Sequence, residues 1–278
     1  MLTRRAALLA ALGAVTGCSG STATAGESWT SPWRSPWAST APPGSRFAGH
    51  LIAHRSRAGD DPENTVQSML GLPVWVDGVE ADVRLTADDV PVLMHDETVD
   101  RTTDGTGPIA DLTLAEVKRL DAGGGTRVPT LADYLAACDD RRWRRILLDM
   151  KATDAAAYEA AADVVRASPL SMLCIVMVRP GGEAARFRAA DRVLPLGSFR
   201  ATTDNIDQVI GEMTEHHGRL ILTDPERYAQ HREAATKAAA AGFECGASTS
   251  NDGANLLAAR DDGVDVVLTD IADQLAWY

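Results

Sequence analysis

The chain has 278 residues, 45% hydrophobic and 24% charged, enough apolar side chain for one domain of barrel size. Its 39 Asp and Glu against 27 Lys and Arg give a formal charge of -12 at pH 7, an acidic surface that would repel a phosphate backbone and so argues against nucleic-acid binding. Beyond the extreme N-terminus, no apolar run approaches the ~20 residues needed to span a bilayer.

Residues 1–18, "MLTRRAALLAALGAVTGC", join a basic pair to an apolar segment from Ala6 to Val15 and then to small residues ending at Cys18, the layout of an export signal. Arg4 and Arg5 resemble a twin-arginine signal. "VTGC" resembles a bacterial lipobox, in which Cys18 becomes the lipidated N-terminus. The expectation is a cell-envelope lipoprotein whose soluble body is held at the membrane through Cys18; a plain secretory signal cleaved near Ala25 is the alternative. Residues 19–46, rich in Ser, Thr, Ala, Gly and Pro, read as a tether. Trp29, Trp33 and Trp37 within it are expected to pack on the domain rather than to sit at the lipid interface.

The folded domain is expected over 47–278. Its strand candidates are 51–54, 78–84, 146–151, 172–178, 193–199, 219–223, 243–249 and 264–269, and helical-period segments over 63–71, 131–138, 155–167, 182–190, 204–216, 226–241 and 252–261 fit between them. Eight strands alternating with helices predict an α/β fold, a parallel (β/α)8 TIM-type barrel. "VPVLMHD" follows the second strand too closely for a helical crossover and is expected to fold back beside it. Residues 97–129, with one short helix near 114–120, form a small insertion after that strand, placed as a lid over the mouth would be. Cys138, Cys174 and Cys245 lack metal-site spacing and read as small core residues, with a Cys174 to Cys245 disulfide as the alternative.

Side chains two apart on a strand share a face, so in "GVEADVRLT" Glu80, Asp82 and Arg84 point one way. Adjacent inward carboxylates repel unless something positive lies between them. A divalent cation with oxygen ligands answers this, and salt bridges to Arg84 or Lys151 answer it equally. In "ILLDMK" Leu147, Asp149 and Lys151 share a face; "VPVLMHD" ends in His95 and Asp96, and "LIAHR" in His54 and Arg55. Four consecutive strand candidates thus finish in groups that bind metal or move protons, at the end where α/β barrels carry their active sites.

"AHRSRAGDDPENT", "VEADVRLTADDVPVLMHDETVDRTTDGTG", "LDMK" and "GVDVVLTD" together resemble, in order and spacing, the glycerophosphodiester phosphodiesterases. That resemblance implies an α/β barrel using a divalent metal, Ca2+ or Mg2+, to hydrolyse a small-molecule glycerophosphodiester to glycerol 3-phosphate and an alcohol. It implies Glu80, Asp82 and Asp149 as metal ligands, His54 and His95 as the acid/base pair, and Arg55 and Lys151 as phosphate contacts, with Glu63 and Asn64 supporting them from behind. Glu63 is expected near the start of the following helix, where its charge suits the helix dipole.

Three positions depart from the family pattern. Ser56 stands where glycine follows His-Arg, and is expected to tighten the turn or add a hydroxyl near the phosphate. Asp149 is one methylene shorter than the usual glutamate. Ser248, in "GASTSN", stands in an aromatic position and is expected to widen the mouth or to change what the glycerol packs against. Two rival functions use the same residues: a related phospholipase D acting on lysophospholipid or sphingolipid head groups, and a lipoprotein that binds glycerophosphodiesters without cleaving them.

Overall fold

A computed structural model of the chain describes residues 49–139, 143–224 and 228–275. The expected export signal, lipobox and tether, with Cys18 and the three tryptophans, lie outside the described residues.

The strands are β1 (His50–Ala53), β2 (Gly78–Leu85), β3 (Pro91–Leu93), β4 (Arg145–Met150), β5 (Cys174–Val178), β6 (Leu196–Ala201), β7 (Leu220–Thr223), β8 (Glu244–Ala247) and β9 (Val266–Thr269). Except for β3 they pair in parallel, and the β1–β2 pairing closes the sheet into an eight-stranded barrel. β3 turns back antiparallel on the outer part of β2, with Val83 opposite Leu93, as the short spacing requires. The expected barrel with its insertion after the second strand is the observed fold.

The helices are α1 (Val66–Gly71), α2 (Leu114–Val117), α3 (Leu131–Asp139), α4 (Ala155–Ala167), α5 (Glu183–Ala190), α6 (Ile206–Glu215), α7 (Arg232–Ala240) and α8 (Gly253–Asp261). Local sequence fixes several starts: the side chains of Thr65, Asp154 and Asp252 accept from Ser68, Ala157 and Asn255 N–H. Thr113 and Glu116 form a reciprocal capping box on α2. The helical segment expected over 226–241 is divided, with a 3-10 turn at Tyr228–Gln230 preceding α7.

Period-two alternation sends one set of strand side chains inward. Ile52, Leu147, Ile175, Met177, Phe199, Leu220, Leu222, Val266 and Leu268 fill the barrel, while the alternate residues pack against the helices in the larger core. At Gly78 an added Cβ would overlap the Arg145 carbonyl and the Ile52 side chain, so β2 reaches this layer only without a side chain there. Cys138, Cys174 and Cys245 are buried free thiols, which confirms the core reading and removes the disulfide alternative.

Candidate active site

β2 carries Glu80 and Asp82 inward, and register sets Asp82 beside Asp149 on β4. One carboxylate oxygen from each of Glu80, Asp82 and Asp149 lies within 4.8 Å of the others, and all three residues are buried. Burial, then the charge of Asp82, pushes the Glu80 carboxyl up to about 8. Burial opposes ionisation of Asp82 too, but Lys151 and the Asn64 hydrogen bond outweigh it and hold that carboxyl below its usual value. Lys151 Nζ stands 3.0 Å from Asp82 Oδ1 and 2.5 Å from Asp149 Oδ2. The cation and ion-pair answers to the inward acids therefore coexist: Lys151 bridges two of the three, whereas Arg84 turns away to donate to the His95 carbonyl at 3.0 and 2.9 Å. The donor set fits a divalent ion. Asp82 Oδ1 is buried and, despite the nearby ammonium, makes no hydrogen bond, and Glu80 keeps a carboxyl that burial leaves hard to ionise.

β1 ends at Ala53, and His54–Ser56 form a tight turn in which Arg55 and Ser56 take left-handed backbone angles, φ 51° and 54°. That turn aims consecutive residues in different directions. His54 Nδ1 lies 2.6 Å from Asp270 Oδ1, just past β9, and its Nε2 lies 3.9 Å from Glu80. Burial of the His54 ring opposes protonation, but the Asp270 hydrogen bond prevails and raises its pKa. The Arg55 N–H donates to Glu80 at 2.7 Å, while its guanidinium donates to Glu63 at 3.1 and 3.2 Å. Asn64 clamps Asp82 from both sides, donating to its carboxylate at 2.8 Å and accepting its N–H at 3.0 Å.

His95 lies beyond the end of β3, with Nδ1 2.7 Å from Asp96 Oδ1. Arg101, from the insertion, donates to Asp96 at 2.5 Å and to Glu63 at 2.7 Å, tying His95's partner to Arg55's partner. A cavity of about 220 Å³ opens over this assembly, lined in part by His54, Arg55, Glu80, His95, Asp149 and Lys151. All seven residues expected at the centre are thus gathered at one end of the barrel, and Asp82 alone of them stays behind the cavity wall.

Two expectations need correction. Ser56 is fully buried and faces away from the mouth, its hydroxyl donating to the Glu80 carbonyl at 3.0 Å and meeting the Tyr134 hydroxyl, so it adds nothing near a phosphate. Its positive φ explains why glycine is the residue the pattern expects. Glu63 does not serve the helix dipole, because α1 begins at Val66 with Thr65 as its cap; its charge is taken up by Arg55 and Arg101.

Sequence reasoning gave no role to Asp270, Arg101 or Arg179. Arg179 donates to Asp149 at 3.1 and 3.2 Å and to the Met150 carbonyl. For Asp270 and Arg179 the signal was present: "DVVLTD" and "CIVMVR" are apolar strands ending in a charge, as the four chosen strands are.

Residues 54–274 match the family model described as the glycerophosphoryl diester phosphodiesterase family. A glycerophosphodiester phosphodiesterase of Caldanaerobacter subterraneus subsp. tengcongensis is 43% identical over 99 residues, which are 33% of this chain and 41% of that relative. Glycerophosphodiester phosphodiesterase 1 of Homo sapiens is 42% identical over 97 residues, 31% of this chain and 29% of that one. These alignments span less than half the length of the curated relatives. Among solved structures, a glycerophosphodiester phosphodiesterase from Agrobacterium tumefaciens superposes with TM-score 0.69 at 27% identity, covering 83% of this chain and all of that one. An Oleispira antarctica phosphodiesterase in complex with sn-glycerol-3-phosphate superposes with TM-score 0.72 at 24% identity, covering 81% and 94%, a likeness of fold.

Proposed function

The chain belongs to the glycerophosphoryl diester phosphodiesterase family, and from that premise we propose that it hydrolyses glycerophosphodiesters to glycerol 3-phosphate and an alcohol. One observation carries the reading: two histidines, each with a carboxylate on Nδ1, flank a buried trio of carboxylates beside Arg55 and Lys151. A carboxylate on Nδ1 fixes the tautomer and leaves Nε2 for proton transfer at the mouth.

Glu80, Asp82 and Asp149 would hold a divalent metal, calcium or magnesium, which when bound neutralises charge on the phosphoryl oxygens. Arg55 and Lys151 orient the phosphate and share that charge. In the first step one histidine accepts the proton of the substrate's glycerol hydroxyl as its oxygen bonds to phosphorus. The bond from phosphorus to the alcohol oxygen breaks, and the other histidine protonates the departing alkoxide. In the second step the histidines exchange roles: water attacks the cyclic phosphate, the bond closing the ring breaks, and glycerol 3-phosphate leaves.

Purified protein should release glycerol 3-phosphate from glycerophosphocholine, stop on addition of EDTA, and lose turnover in His54→Ala and in His95→Ala. Full turnover in either variant would sink the assignment. For location we propose an exported lipoprotein anchored through Cys18, supported by the sequence "RRAALLAALGAVTGC". Mass spectrometry of the mature N-terminus tests it: an unacylated protein beginning near Ala25 would overturn it.

A further inference from the structure

The part of the cavity contributed by β5, β6, β8 and β9 and the loops after them has a different character. It is lined by Arg179, Phe199, Arg200, Ser248, Thr249 and Leu268, with two guanidiniums and one aromatic ring, and the carboxylate it borders is Asp149, which Arg179 already engages. Arg200 is there because β6 is irregular. Phe199 points into the barrel, so an unbroken strand would send Arg200 outward to the helices. The pairing of β6 with β7 instead shifts register between Ser198 and Ala201, Arg200 adopts φ 61°, and both neighbours line the cavity. Left-handed backbone is disfavoured at a long side chain, whose Cβ crowds the following carbonyl oxygen. Asn205 sustains it, donating to the Arg200 carbonyl at 3.0 Å and accepting the Thr202 N–H at 2.7 Å. Arg179 is engaged with Asp149, but the Arg200 side chain forms no hydrogen bond or ion pair with any described residue.

We propose that this part of the cavity receives the alcohol portion of the substrate and selects alcohols carrying a second phosphate, with Arg200 as the partner of that phosphate and Arg179 adding positive charge. The inference rests on the glycerophosphodiesterase reading above and deepens it. A quaternary ammonium such as choline is recognised by several aromatic faces or by a carboxylate. This wall offers a single ring, and the cavity carboxylate it borders, Asp149, is taken up by Arg179 and Lys151. A phosphate instead meets a guanidinium with free donors, the pairing that planar guanidinium geometry favours.

Three diesters test this: glycerophosphoglycerol, the same molecule phosphorylated on its distal glycerol, and glycerophosphocholine, each assayed with calcium or magnesium by loss of the diester, since the phosphorylated one yields two glycerol phosphates per turnover. The phosphorylated diester should have a kcat/KM about tenfold above the plain one, as one charge-assisted contact supplies, and choline should rank last. In Arg200→Gln the ratio of phosphorylated to plain should fall toward one, and Arg200→Lys should keep part of it. A ratio taken within one protein is independent of how much of it is folded. Equal kcat/KM for the two glycerol diesters, a preference for choline, or a ratio unchanged in Arg200→Gln overturns the proposal while leaving the hydrolase intact. No loss of any of the three diesters overturns both.

Discussion

His54 Nδ1 and Asp270 Oδ1, 216 residues apart in the chain, meet at 2.6 Å because β1 and β9 are neighbours in the closed barrel, with Ala53 opposite Thr269. Asp270 is itself held, accepting from Asn251 at 2.6 Å through its other oxygen. Burial would raise its carboxyl, but the His54 hydrogen bond dominates and brings it down to about 2. The pair therefore sets both the orientation of the imidazole and its readiness to accept a proton.

Asp270→Asn should lower kcat by about a hundredfold, the scale seen when the partner of a functional histidine is changed. Removing the carboxylate also removes what raises the His54 pKa, so the His54 limb of the pH profile should move to lower pH. Steady-state kinetics across pH 5 to 9 would check both; an unmoved limb would mean that Asp270 acts only as scaffold.

Glu80 predicts a proton released on metal binding. With its carboxyl pushed up to about 8, the metal-free protein carries a proton there at pH 7 that a cation must expel. Calorimetric titration with calcium or magnesium in buffers of different ionisation enthalpy should report a release approaching one proton, lost in Glu80→Gln. The sign for stability follows from the unfolded value of about 4.3. Because the folded pKa is the higher, the metal-free protein should lose stability as pH rises from about 4.3 through about 8, and added cation should restore it.

Ser56 predicts a divergence between two small substitutions. Ser56→Ala keeps the left-handed backbone and leaves the Tyr134 hydroxyl and Glu80 carbonyl short of a partner, at a cost of about 1–3 kcal/mol. Ser56→Gly loses the same bonds but relieves roughly 1 kcal/mol or more of backbone strain. Thermal melts should rank wild type and Ser56→Gly above Ser56→Ala. Because the hydroxyl faces Tyr134 rather than the mouth, turnover per folded molecule should stay within about threefold of wild type.

The contrast between Ser56 and Glu80 also explains what the sequence made legible. Period-two alternation is rigid within a strand, so Glu80 and Asp82 could be assigned to one face of their strand and Asp149 and Lys151 to one face of theirs, while the family resemblance joined the three carboxylates into one site. Ser56 follows β1 in a turn where two successive residues take positive φ, and there alternation says nothing about direction. Arg200 escaped for the same reason, at a bulge inside a strand. Arg101 escaped because its partners Asp96 and Glu63 are brought to it by the insertion, whose path no periodicity describes.

Arg101 also yields the sharpest separation of function from stability. Its side chain is 47% exposed, and surface ion pairs of that kind contribute about 0–1 kcal/mol, so Arg101→Gln should leave the melting temperature nearly unchanged. Yet the guanidinium is the link between Asp96, which orients His95, and Glu63, which holds Arg55. Freed from it, both carboxylates gain room to reorient, and the proton carrier and the phosphate contact lose their fixed relation. A misplacement of about 1 Å can cost a hundredfold in rate, so kcat should fall on the order of 10- to 100-fold. Kinetics and melts on the same preparation would check this. A loss of stability matching the loss of rate would make Arg101 a structural strut instead of a positioning residue.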